Sequence, residues 1–227
     1  MKLSVAHTFD PELIPRLSYI PSVKEMYGKL DGDVIGGGRS SYTLRPTARN
    51  SLAMAVSQAH AADMKYNYLL NGATLGGMEQ TRAGQRSIRR LIDWVASQQV
   101  DAVTVASPYL LRLVKYLYPH LAVRVGVFAL VDNAVKARGW EDLGADTLCI
   151  SAISCNRDFD RLSTIRNATS CELQLIVNAN CQINCPYELT HMNMLTNSSR
   201  TGDRLNGFCL DYCFLNCSAR KLTDPIN

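Results

Sequence analysis

Residues 101–128 read DAVTVASPYLLRLVKYLYPHLAVRVGVF, and the reading of this stretch decides the fold. It opens on a short β-branched run, Ala102–Ala106, turns at Ser107-Pro108 into a helical pattern reaching Tyr118, and returns to a second apolar run, Val123–Phe128. Both runs are short and almost continuously apolar, as strands buried on both faces of a parallel sheet are. Pro108 suits the first turn of a helix, where a backbone N–H would have no partner anyway. Strand, helix and strand in succession form the unit of a parallel α/β fold.

The same alternation runs outward in both directions. Further strands are expected at Lys2–Ala6, Val23–Lys29, Tyr66–Leu70, Thr147–Ser151 and Leu173–Val177. Helices are expected at Pro11–Tyr19, Pro46–Asp63, Gln80–Gln99, Asp132–Leu143 and Asp158–Ala168. Within the third helix from the amino terminus, Ile88, Leu91, Ile92 and Val95 make the stripe of a helix laid on a sheet. Seven strands predict a TIM-like (β/α)8 barrel whose eighth strand is absent or hidden in the carboxyl-terminal tail. A doubly wound sheet is the alternative. Against its dinucleotide-binding form, no Gly-x-Gly-x-x-Gly follows the first strand, and Gly36-Gly37-Gly38 runs into Arg39-Ser40-Ser41 with no helix start behind it.

At 227 residues, 47% hydrophobic and 19% charged, the chain can bury a full core, which excludes disorder and a disulfide-stapled miniprotein. A net charge of +4 is too small and scattered to mark a nucleic-acid footprint by itself. Arg82, Arg86, Arg89 and Arg90 are spaced as the outer face of a helix and read as a solvated face. No run of eighteen apolar residues occurs, and the first residues are too short and polar a stretch for a signal peptide, so no membrane span and a cytoplasmic location are expected.

All eight cysteines fall between Cys149 and Cys217. Clustering of this kind in a reducing compartment points to metal rather than disulfides. Cys181 and Cys185, and again Cys213 and Cys217, are four residues apart and can each present two thiolates on one side of a turn or helix. Four thiolates are the ligand set of an iron–sulfur cluster or a structural zinc, and the spacing does not decide between them. Cys185-Pro186 resembles the ending of ferredoxin cysteine runs and favours iron–sulfur. Cys209 can replace one of the four. Cys149 and Cys171 abut apolar strands and read as core residues.

Polar residues at the strand ends would face one mouth of a barrel, among them Asn71, Ser107, Asp132, Asn133, Ser154, Asn178 and Asn180. Individually they also suit loops and helix caps. His7, after the first strand, and His191, after the cysteine loop, are the histidines placed for a site. Asn71, Asn178, Asn180 and His191 are the candidate catalytic residues, with His191 as acid or base because imidazole titrates near neutrality. No Gly-x-Ser-x-Gly elbow and no His-Glu-x-x-His helix supports conventional hydrolase chemistry.

Tyr27-Gly28-Lys29 with Gly36-Gly37-Gly38-Arg39, Tyr68-Leu69-Leu70-Asn71, Asp101–Ala106, Trp140–Asp146, Asn156-Arg157-Asp158 and the Cys181/Cys185-Pro186 run together resemble peptidase family U32, the collagenase-like peptidases. The resemblance covers nearly the whole chain in order. It implies a (β/α)8 barrel carrying a [4Fe–4S] cluster on Cys181, Cys185, Cys213 and Cys217. It also implies oxygen-independent hydroxylation of a small aromatic or nucleotide-borne ring, such as a ubiquinone precursor or an RNA pyrimidine, with prephenate the hydroxyl donor in some members. Peptide-bond cleavage, after the family's name, is one alternative. Another is a non-catalytic iron–sulfur subunit that completes a heteromer with a homologous partner. Zinc is the alternative metal. The expected organisation is a barrel over residues 1–180, with a cysteine-rich segment over 181–227 packed on its mouth.

Overall fold

The computed structural model describes residues 1–38, 46–179, 181–201 and 208–223; the side chains of residues 208–214 and of Lys221 lie outside that description. Seven strands form one parallel sheet in sequence order: β1 (Leu3–Ala6), β2 (Val23–Gly28), β3 (Lys65–Leu70), β4 (Ala102–Val105), β5 (Ala122–Val125), β6 (Thr147–Cys149) and β7 (Glu172–Gln174). The crossovers carry α1 (Leu13–Leu17), α2 (Ser51–Ala61), α3 (Arg82–Ser97), α4 (Pro108–Leu117), α5 (Ala134–Asp142) and α6 (Phe159–Ala168). Beyond β7 come α7 (Glu188–Ser198) and α8 (Phe208–Thr223).

The register sorts the strand residues onto two unlike faces. Met26, Tyr66, Tyr68, Val103, Val105, Val123, Val125 and Leu148 share one face and are buried in the hydrophobic core. Ile88, Ile92 and Val95 of α3, with Leu110, Leu111 and Val114 of α4, close the core from outside. The opposite face carries Ser4, Glu25, Asn67, Thr104, Arg124 and Thr147.

That polar face is concave. Arg124 of β5 donates to Glu25 of β2, although strands three places apart in a flat sheet lie about 14 Å from each other. Lys2, just before β1, meets Glu172 at the start of β7 at 3.3 Å. Both side chains are largely exposed, so the pair adds little stability, but it marks how far the sheet has curled. The result is an incomplete parallel barrel of seven strands, with its first and last strands drawn together at the amino-terminal rim.

Several expected boundaries move. Apolar residues continue past β7, yet Leu175 and Val177 are exposed, and the strand stops at Gln174 because no further strand pairs with it among the described residues. Phe128 leaves the sheet in a 3₁₀ turn over Val127–Ala129. Helix α2 begins at Ser51, well after Pro46. Three caps behave as residue type predicts: Thr81, Asn133 and Asp158 each accept a hydrogen bond from the backbone N–H three residues on. Asn133 is therefore a capping residue.

Candidate functional site at the carboxyl rim of the sheet

The loop after β2 is built around a buried ion pair. Lys29 Nζ lies 3.0 Å from Asp33 Oδ2, with both side chains almost wholly buried. Asp33 Oδ1 accepts from the N–H groups of Ile35 (2.9 Å) and Gly36 (2.8 Å), and Tyr68 Oη donates to Oδ2 at 3.2 Å. Lys29 Nζ also donates to the Gly36 carbonyl at 2.5 Å. So much bonding fixes Gly36 and Gly37 against the end of β3. A side chain beginning at Gly37 would meet Asn71 Oδ1 at 2.9 Å and Lys29 Nζ at 3.2 Å. Asn71 is thus at the mouth, and its buried Oδ1 accepts no hydrogen bond from the described residues.

Helix α7 docks onto this rim. Ser199, its C-cap, accepts from Gly37 N at 2.7 Å, Thr196 Oγ1 accepts from Ala73 N at 2.8 Å, and Arg200 donates to the Thr74 carbonyl at 2.5 Å. These contacts hold its carboxyl end on the loops after β2 and β3. The segment before it is held on the loop after β6, through Asn184 N to the Ile153 carbonyl at 3.1 Å. The first turn carries Glu188, whose pKa is raised by burial and by the charge of Asp132, with Lys136 opposing. His191, half-buried on α7, has its pKa lowered by burial and is neutral near pH 7.

A cavity of about 850 Å³ opens beside Lys29 at the ends of β1 and β2. Its lining includes His7, Phe9, Asp10, Tyr27, Asp31 and Leu69. His7 is only 7% exposed, and burial lowers its pKa while the Asp10 backbone and carboxylate act the other way.

The remaining expected site residues fall in different places. Asn178 is exposed on the segment after β7, and Asn180 lies outside the described residues. Cys181 is exposed, while Cys185 and Cys217 are half-buried. Cys213 is on α8, its side chain outside the description, as is that of Cys209. Cys209, Cys213 and Cys217 follow one another at four-residue steps along α8, and α8 packs against α7, the helix that follows the first cysteine pair. Among the described residues, no three metal-binding side chains are gathered into one group. In kind, four thiols suit a thiolate-ligated cluster. Cys149, Cys155 and Cys171 are buried, and burial raises all three thiol pKa values, Cys149 to about 11. They are packing residues.

Sequence reasoning missed Lys29, Asp33, Glu25 and Arg124. Asp33 stands three residues ahead of Gly36 in the run Gly36-Gly37-Gly38, a usable signal for a turn that caps its own backbone. Nothing local marks the Glu25–Arg124 pair.

The fold is shared with a solved structure, "The Structure of the U32 Peptidase Mk0906", which superposes with a TM-score of 0.72 over 92% of this chain and 81% of that one, at 22% identity. In sequence, the chain is 30% identical over 167 residues to "Uncharacterized protease MJ1657" of Methanocaldococcus jannaschii. It is 22% identical over 165 residues to "tRNA hydroxylation protein P" of Escherichia coli. It covers 49% of the first relative's length and 34% of the second's. No helix among the described residues is long and apolar enough to cross a membrane. The family model described as "Peptidase family U32" matches residues 31–219, and the chain belongs to that family.

Proposed function

We propose that this chain is an iron–sulfur protein that takes part in oxygen-independent hydroxylation, or a related group transfer, on a nucleotide-borne or small aromatic ring. Cys181, Cys185, Cys213 and Cys217 would hold a [4Fe–4S] cluster, with Cys209 able to replace one of the last two. What supports this is the position of the two cysteine pairs before and after α7, the helix docked over the carboxyl rim where barrel enzymes build their sites. When bound, such a cluster, with a thiolate on each iron, would supply one-electron chemistry. Asn71, Asn178 and Asn180 would orient the ring by hydrogen bonds. His191, neutral at pH 7, would give or take a proton.

The relatives named for tRNA hydroxylation favour an RNA-borne substrate, and the surface offers a second line of support. Arg82, Arg86, Arg89 and Arg90 of α3 are all exposed, and none makes an ion pair or hydrogen bond among the described residues. Arg82 sits in the first turn, where the helix dipole disfavours a cation, and Arg86 stands four residues from both Arg82 and Arg90, a repelling arrangement. A stripe that weakens its own helix and gains no partner within the chain is suited to phosphates. Because α3 starts at the carboxyl rim, the stripe leads toward the mouth.

Nucleoside mass spectrometry on RNA from source cells lacking the gene tests the reading. A hydroxylated pyrimidine should disappear, return with the wild-type gene, and fail to return with Cys185→Ala. Unchanged RNA together with peptide cleavage by the purified chain would favour the peptidase alternative. Unchanged RNA and no cleavage, with the chain recovered bound to a homologous protein, would favour a non-catalytic subunit.

A further inference from the structure

The cavity at the ends of β1 and β2 is the carboxyl end of the sheet's own hollow. Ala6 pairs with Tyr27 in register, and the two stand two residues beyond Ser4 and Glu25 of the concave face, as Leu69 stands two beyond Asn67. Ala6, Tyr27 and Leu69 therefore make its floor. Its walls are residues 8–11 after β1, Lys29 and Asp31 after β2, and the start of α2 at Ser51. At about 850 Å³ it has the size of a small-molecule site.

Two carboxylates line it in similar settings. Asp10 Oδ1 accepts from Glu12 N at 3.0 Å, and the Asp10 backbone is hydrogen-bonded to the buried His7 ring. Asp31 Oδ1 accepts from Thr47 N at 3.4 Å. Each carboxylate is thus held by one oxygen, and among the described residues the other oxygen has no hydrogen bond and neither group has an ion-pair partner. The opposing positive groups are weaker. The Lys29 ammonium is taken up by Asp33 and the Gly36 carbonyl, and burial lowers the pKa of His7. The amino end of α2 counts for about half a charge. Two full negative charges outweigh it, so the cavity favours a cation. Phe9 and Tyr27 add aromatic rings, which attract a cation over their faces, and Leu69 adds apolar surface. Such a lining suits an organic cation better than a bare metal ion, and no three metal-binding side chains gather among the described residues.

We propose that this cavity binds a small organic cation, an ammonium group on an apolar body, with the ammonium on the carboxylates of Asp10 and Asp31 and the body on Phe9, Tyr27 and Leu69. The inference goes beyond the hydroxylation reading and does not rest on it. The arginines of α3 attract phosphate, whereas this corner of the rim repels it, so the ligand is a separate small molecule and not the RNA chain.

Calorimetric titration of the full chain with benzylamine, benzyl alcohol and benzoate tests the ligand class, because the three share one ring and differ in charge. At low salt and neutral pH, benzylamine should bind on the order of tenfold more tightly than benzyl alcohol, and benzoate more weakly than either. Added salt should erode the preference. Asp10→Asn combined with Asp31→Asn should abolish it, while Asp142→Asn, exposed on α5, should leave it intact. Asparagine keeps an oxygen for the same backbone N–H groups, so the double variant retains both loops. Tyr27→Leu leaves both carboxylates in place and should weaken benzylamine through loss of the ring alone. Equal affinities for benzylamine and benzyl alcohol, no binding of benzylamine, a preference that survives the double substitution, or displacement of benzylamine by equimolar Mg²⁺ would overturn the proposal.

Discussion

Glu25 and Arg124, ninety-nine residues apart in sequence, are hydrogen-bonded to each other across the inside of the curled sheet. Glu25 is 4% exposed and also accepts from Ser4 Oγ at 2.6 Å, while the Arg124 side chain is 16% exposed. Removing one partner would strand the other charge in the interior. Arg124→Met should therefore cost about 3–5 kcal/mol in chemical denaturation, and adding Glu25→Leu should recover much of it. A loss below about 1 kcal/mol for Arg124→Met would mean that the pair does not bind the two sides of the sheet together.

Burial is the largest influence on Glu25 and raises its pKa above 4.5, with Arg124 opposing. A carboxyl raised on folding binds its proton more tightly in the native state. The resulting stability is fully present below the unfolded pKa and is lost as pH rises through the raised native one. Thermal melts from below pH 4.5 to neutrality should thus show the wild type losing ground to Glu25→Gln as pH increases. A constant difference would contradict the burial argument.

Gly36 ties the loop after β2 to α7. Its φ is +76°, and a Cβ there would lie 2.2 Å from the Thr196 carbonyl oxygen. Gly36→Ala should cost about 1–3 kcal/mol and speed amide exchange in α7 while β4 and β5 stay protected. Unaltered exchange in α7 would show that the helix is held by other means.

The buried thiols should be chemically silent. With Cys149 raised to about 11 and Cys155 and Cys171 also raised, thiolate is scarce near neutrality. Mass spectrometry after iodoacetamide treatment at neutral pH should find these three unmodified in the native chain and modified after unfolding. Rapid native labelling of Cys149 would refute its assignment to packing.

The arginine stripe makes a prediction that depends on salt. Changing Arg82, Arg86, Arg89 and Arg90 to Gln should weaken RNA binding. The slope of log affinity against log salt should also fall by about 0.7 for each phosphate of a single strand that is no longer neutralised. Stability should hold or rise slightly, because repelling pairs are removed. An unchanged slope would return these residues to a merely solvated face.

The barrel was legible because its signals are local. The run 102–106 and the stripe Ile88, Leu91, Ile92, Val95 each announce one element and the face it buries. Leu175 and Val177 misled because apolar character indicates a strand only if a neighbour is there to pair with it. Helix α7 was hidden between the cysteines on either side, and its sequence, ELTHMNMLTNS, has only a weak apolar stripe; Met192 and Thr196 are its buried residues. Asn71 was found by its position after a strand. Lys29–Asp33 and Glu25–Arg124 were not, because a charged residue in a strand or loop looks exposed until curvature brings its partner to it.

The central claim is the cluster, and metal content tests it most directly. The full chain, purified without oxygen, should contain about four iron and four acid-labile sulfide per chain. Both should fall sharply in Cys181→Ala, Cys185→Ala and Cys217→Ala and stay unchanged in Cys149→Ala and Cys171→Ala. Stoichiometric zinc without sulfide, or full iron and sulfide in all three of the first variants, would contradict it.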